Sequence, residues 1–166
     1  MPDQPWGFLG LDFEVSFWWA AAGPPHENSG WATLFESDTR AIGAWDATEL
    51  THTAAAAASR MPGILLRVKV SGTDHEVGYP YPQGFDRTVR HRYAMGRRGG
   101  ELYVTVDGET ATMRIDKPQS DPGRFLRFGG LGSDASSHNH MGIMNGLAVR
   151  WTGWDGAPRR LVYRDG

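Results

Sequence analysis

Asp12–Phe13–Glu14–Val15–Ser16–Phe17–Trp18–Trp19 is the stretch on which the fold turns. Phe13, Val15, Phe17 and Trp19 fall on one face of an extended chain; Asp12, Glu14, Ser16 and Trp18 fall on the other. Side chains alternate across a strand, so this period of two predicts a strand with one buried face. A buried helix face would instead need apolar residues three and four apart. Gly23–Pro24–Pro25 ends the strand and opens a loop through Gly30.

The same signal recurs along the chain. Trp31 to Ser37 reads as a second strand and Ile64 to Val70 as a third. In the third, Ile64, Leu66, Val68 and Val70 share one face, while Leu65, Arg67 and Lys69 share the other. Gly72 to Phe85 reads as a loop, because Pro80 and Pro82 interrupt a hydrogen-bonded ladder. Thr88 to Met95 resumes as strand, and Arg97–Arg98–Gly99–Gly100 reads as a turn. Glu101 to Val106 is a strand with Leu102, Val104 and Val106 inward. Asp107–Gly108 is a two-residue hairpin signal, and Glu109 to Ile115 returns antiparallel. Phe125 to Phe128, Gly146 to Trp151 and Leu161 to Arg164 supply further short strands. At most one short helix is expected, near 53–59, where five alanines follow Thr53 and Met61–Pro62–Gly63 stops the run.

The 166 residues suit one domain, with its core at about 12–151. Twenty-two glycines, ten prolines and seven tryptophans supply the turns and aromatic plugs of an all-β sandwich. A formal net charge of -2 gives no basic excess, so no nucleic-acid partner is expected. The absence of cysteine excludes disulfides, thiol nucleophiles and thiolate metal sites. No segment has the ~20 apolar residues of a membrane helix, so no membrane insertion is expected. Met1 to Gly10 lacks the basic and apolar regions of a signal peptide.

Four segments, in order, carry a resemblance. They are Phe13–Glu14–Val15–Ser16–Phe17–Trp18, Leu102–Tyr103–Val104–Thr105–Val106–Asp107–Gly108, Phe128–Gly129–Gly130, and Met144–Asn145–Gly146–Leu147–Ala148–Val149–Arg150–Trp151. Between Asp12 and Trp151 the chain resembles the concanavalin-like and laminin-G-like domains. The resemblance implies a two-sheet antiparallel β-sandwich, or jelly roll. That fold serves binding modules, structural proteins and enzymes alike. A laminin-G-like domain of this size is similar to minor tail or decoration proteins of tailed phages. This implies a non-catalytic module that docks to other virion or assembly proteins, forms a homo-oligomer and contacts a cell-surface glycan. Its location would be the virion, or otherwise the cytoplasm or outside by a route other than a signal peptide. The alternative is a free lectin-like carbohydrate-binding protein; the third is a glycoside hydrolase or lyase.

Superfamily members that cut β-glucans carry three acidic residues at alternate strand positions. Here Asp12 and Glu14 are followed by Ser16, so no catalytic residue is expected. A sugar ring has an apolar face and a polar rim, which points to aromatics beside polar groups. Trp18 shares a face with Glu14 and Ser16, and Tyr103 shares one with Glu101 and Thr105. Tyr79, Tyr81, Trp45 and Trp154 sit in expected loops. Arg90 and Arg92 form a row that can meet an anionic glycan or an acidic protein. His138 and His140 with Asp134 are a weak metal set lacking a third ligand at suitable spacing, and a solvated loop is the plainer reading. No cofactor is expected. The resemblance also makes calcium possible, with Asp38, Asp46, Asp74 and Asp134 as undiscriminated loop carboxylates.

Overall fold

The computed structural model describes residues 10–23, 31–37, 41–50, 60–117, 121, 126–128, 142–153 and 155–163. Their strands are β1 (Phe13–Ala21), β2 (Trp31–Ser37), β3 (Ile42–Ala47), β4 (Gly63–Val70), β5 (Thr73–Pro80), β6 (His91–Arg98), β7 (Glu101–Val106), β8 (Glu109–Arg114), β9 (Leu126–Phe128), β10 (Gly142–Thr152) and β11 (Pro158–Val162). They form a six-stranded sheet, β11-β10-β1-β6-β7-β8, and a five-stranded sheet, β5-β4-β3-β2-β9. Every pairing is antiparallel. The helix expected near 53–59 lies outside the described residues. Among those residues, no helix is long and apolar enough to cross a membrane.

β1 runs through the middle of the larger sheet, with Phe13 opposite Arg97 of β6 and Trp151 of β10. Its inward residues Phe13, Val15, Phe17 and Trp19 join Ile64, Leu66, Val68 and Val70 of β4 in one core. Each such burial contributes roughly 1.5–3 kcal/mol, and Phe17 and Tyr93 stack at 5.7 Å within it. Leu102, Val104 and Val106 point inward as the alternation requires.

The expected loop from Gly72 to Phe85 is instead largely strand β5. Ser71 (φ 50) and Gly72 (φ 77) make the left-handed pair of a tight hairpin turn. The Asp121 carboxylate accepts from the N–H groups of Ser71 and Gly72, both at 2.8 Å. Pro80 ends β5, an edge strand, where a missing ladder donor is tolerated. Asp121→Ala is expected to cost about 2 kcal/mol, read as a lower midpoint in denaturant unfolding. An unchanged midpoint would mean that water serves the two N–H groups equally well.

β3 has no counterpart in the sequence pattern. Gly43, Ala44 and Ala47 are poor strand formers, and they are extended because Ala44 lies opposite both Phe35 and Leu66. Leu65, expected on an outer face, is buried with Ala47 and Leu50 under Trp31 and Trp45. Arg97 lies in β6 rather than in a turn, and the turn is Gly99–Gly100. Its guanidinium, 1% exposed, donates to the carbonyls of Gly99 and Lys117. β10 starts earlier than expected and β11 covers Pro158–Val162.

Candidate functional site

Strand register builds a row across the outer face of the six-stranded sheet. In order it reads Arg160, Arg150, Glu14, Gly96, Tyr103 and Thr112. Gly96 leaves no side chain between Glu14 and Tyr103, so the Tyr103 hydroxyl donates to Glu14 Oε2 at 2.7 Å. Arg150 Nη1 lies 3.7 Å from Oε1 and Arg98 Nη2 lies 4.0 Å from Oε2. The Arg98 guanidinium sits over the Tyr103 ring, 5.1 Å from its centre. Burial, then the bond to Glu14, raises the Tyr103 pKa, so the phenol stays a donor.

These residues line an open cleft of about 480 Å³, together with Asp12 and Arg159. The charges do not cancel. Arg159 is held by both oxygens of Asp155, at 3.0 and 2.9 Å. Asp12 turns its carboxylate to the Gly99 N–H at 2.7 Å. Asp12 acts on the buried guanidinium of Arg97, another lining residue, and the two charges offset; that leaves Arg98, Arg150 and Arg160 against the carboxylate of Glu14. The cleft is therefore cationic on a chain whose net charge is -2.

Further along β1, past Ser16, stands Trp18. Arg90 and Arg92 both lie over its ring, at 4.8 and 5.7 Å. Arg92 is its cross-strand neighbour. Gly146 (φ 60) packs beside it, since an added Cβ there would lie 3.2 Å from Trp18 Cδ1. Between Glu14 and Trp18 the row across the sheet is Ala148, Ser16, Ala94, Thr105 and Thr110. In this row Ser16 and Ala148 are buried, Ala94 and Thr105 half-buried and Thr110 exposed.

The sequence candidates thus divide. Glu14 and Tyr103 meet in the cleft; Trp18, Arg90 and Arg92 meet beyond the floor of the same face. Neither ring is an open sugar platform, as a lectin reading expects. Tyr103 is only 8% exposed, and the faces of both rings carry guanidinium groups. Tyr79 and Tyr81 belong elsewhere. Tyr79 is half-buried on β5, packed on the core. Tyr81 is 3% exposed and donates to Asp46 Oδ1 at 3.0 Å. Its ring stacks on Phe85 at 4.2 Å, and Arg87 lies 3.2 Å from Asp46 Oδ2. Burial pushes the Asp46 pKa up to about 7, against the pull of Arg87 and Tyr81. Flanking prolines suggest exposure, but this loop folds back onto the sandwich. Arg98, Arg150 and Arg160 were invisible as site residues in the sequence, because only the β1–β10–β11 register gathers them.

Asp134, His138 and His140 lie outside the described residues, as do Asp38 and Trp154. Among the described residues no group of three or more His, Asp or Glu side chains can hold a metal. The other two expected loop carboxylates are engaged with arginines. Asp46 is buried against Arg87, and Asp74 lies 3.7 Å from Arg67 Nε.

No family model matches the chain, and no curated protein matches it. Solved structures do match. Domains LG4-5 of the mouse laminin α1 chain superpose with a TM-score of 0.66 at 14% identity, covering 94% of this chain and 40% of that one. Botulinum neurotoxin type C, whose cell entry depends on interaction with two ganglioside molecules, gives 0.60 at 10% identity, covering 86% and 32%. The enzymatically active domain of tailspike protein 2 from bacteriophage CBA120 gives 0.54 at 15% identity, covering 91% and 24%. The chain spans well under half the length of each. Two antiparallel sheets packed as a sandwich, superposable on these proteins over most of the chain, are the concanavalin-like, laminin-G-like jelly-roll fold.

Proposed function

We propose that the chain is a non-catalytic carbohydrate-binding module that presents the outer face of its six-stranded sheet to a cell-surface glycan. The observation that carries this is the open cleft with Arg98, Arg150 and Arg160 around the Glu14–Tyr103 pair. Its volume falls in the range of ligand pockets, about 300–1,000 Å³. Sugar hydroxyls and acid groups accept the N–H donors that arginines supply in fixed planar geometry. Glu14, tied to Tyr103 and ringed by arginines, remains an acceptor that orients hydroxyls.

Glycosidic cleavage needs two carboxyl groups flanking the bond. Asp12 and Glu14, the carboxylates of this cleft, are both engaged as hydrogen-bond acceptors. That favours binding over hydrolysis. The neurotoxin's gangliosides and the phage tailspike likeness accord with a glycan-facing module carried on a virion. Exposed Leu161, Val162 and Tyr163 follow one another on the edge strand β11 and its end. Such an apolar edge suits docking to the assembly or to a second copy.

The test is a glycan panel read by calorimetry, with the folded double variant Arg150→Ala/Arg160→Ala beside the wild type. The variant is expected to bind at least tenfold more weakly. Absence of any glycan ligand, or equal binding by the variant, removes the reading. Light scattering addresses carriage: self-association that Val162→Glu abolishes is expected, and a monomer at high concentration favours a free lectin.

A further inference from the structure

We propose that the ligand is an acidic oligosaccharide laid along β1, with one acid group in the arginine cleft and another at the Arg90–Trp18–Arg92 stack. This rests on the glycan-binding reading of the same face and adds the ligand's charge, length and direction.

Both ends of the face use one device. At the cleft, Arg98 lies on Tyr103; beyond the floor, Arg90 and Arg92 lie on Trp18. A guanidinium stacked on a ring keeps its N–H edges free and loses little freedom when an anion arrives. Sulfate and carboxylate groups accept such paired donors.

The donors at both ends are available. Among the described residues, Arg90, Arg92 and Arg160 make no ion pair with a carboxylate, and Glu14 alone balances Arg98 and Arg150. Two like-charged clusters on one face repel each other unless an anion spans them, and the chain's net charge is -2.

Spacing sets the length. Glu14, Ser16 and Trp18 are successive outward residues of β1, so the ends lie about 13 Å apart at the strand's rise. One sugar ring cannot reach both. Between the ends Ser16 and Ala148 are buried, and half-exposed Ala94 and Thr105 on the next two strands are the small side chains over which sugar rings can pass. A single-stranded nucleic acid is a poorer fit, because it needs open aromatic faces for its bases, and guanidinium groups cover these rings.

The experiment titrates the full chain with a sulfated glycosaminoglycan hexasaccharide, its desulfated counterpart, a sulfated disaccharide and a DNA oligonucleotide. The sulfated hexasaccharide is expected to bind at least tenfold more tightly than each of the others, with affinity falling as salt rises. Arg90→Ala/Arg92→Ala is expected to bring the hexasaccharide down to disaccharide affinity and leave the disaccharide unchanged. Arg150→Ala/Arg160→Ala is expected to weaken both. Equal binding of the desulfated hexasaccharide overturns the acidic ligand while leaving a glycan-binding face. Equal binding of hexasaccharide and disaccharide by the wild type overturns the two-ended site, a comparison that does not depend on the variants folding. DNA binding as tight as the sulfated hexasaccharide overturns the choice of a glycan. Failure of every saccharide removes both this proposal and the reading beneath it.

Discussion

Gly96→Ala is expected to lower stability by at least about 3 kcal/mol. A Cβ at this position would lie 1.9 Å from the Phe13 carbonyl oxygen, 2.8 Å from its carbon and 2.9 Å from Glu14 Cα. All three are backbone atoms of the central strand β1, so no rotamer change relieves the contact. The strands must move apart where the six-stranded sheet is most enclosed. For a chain of this size the melting midpoint should fall by roughly 10 °C. The same methyl group intrudes between Glu14 and Tyr103. Glycan affinity should therefore drop even at temperatures where the variant is still folded. Gly23→Ala, with nothing within 4 Å of the added carbon, is the matched control and should melt with the wild type. Coincident melting curves for all three proteins would show that β1 and β6 are not held this close.

Asp46→Asn should make the protein more stable at neutral pH and above, and change little below about pH 4. In the folded state the Asp46 pKa is raised from 3.8 to about 7, chiefly by burial. Between those values the folded protein holds a proton that the unfolded chain releases. Stability therefore falls as pH rises from about 4 to about 7, and is flat above. The loss attached to this one group is on the order of 4 kcal/mol. Asparagine reproduces the neutral side chain, still accepting from Tyr81, and has no proton to lose. The difference between the two unfolding free energies, measured from about pH 3.5 to 8, should open in favour of the variant between about pH 4 and about pH 7 and stay constant beyond. A constant difference would mean that Arg87, 3.2 Å away, holds Asp46 ionised throughout.

Periodicity revealed the strands whose two faces differ. β1, β4 and β7 were legible because each packs one alternating set of apolar residues into the shared core. Asp107–Gly108 also turned as read, with φ of 49 and 91. β3 escaped because Ile42–Gly43–Ala44–Trp45–Asp46–Ala47 hides its logic in its neighbours. It is held by β2 and β4, and it carries a carboxylate on the inward face with Ile42 and Ala44. β5 escaped because it is polar and ends in proline, as only an edge strand can. The candidate site was half legible. Glu14, Trp18 and Tyr103 stand out as polar-face residues within one or two strands. What surrounds them depends on which strand lies beside which. Arg150 is 136 positions beyond Glu14 in the chain yet directly opposite it, and no local pattern encodes that.

The same long-range pairing governs how the chain is made. β1 is among the first strands to leave the ribosome, and its two partners, β6 and β10, come far later. Until β10 emerges, one edge of β1, with Phe17 and Trp19 upon it, has no mate. Contacts of such sequence separation are slow to form, and unmated apolar strands are prone to aggregate while they wait. The five-stranded sheet is built differently, since β2 to β5 pair in order. It can assemble first and offer its apolar face to β1 as a holding surface. Synthesis of this protein is thus a race between completion of β10 and loss of β1 to other chains.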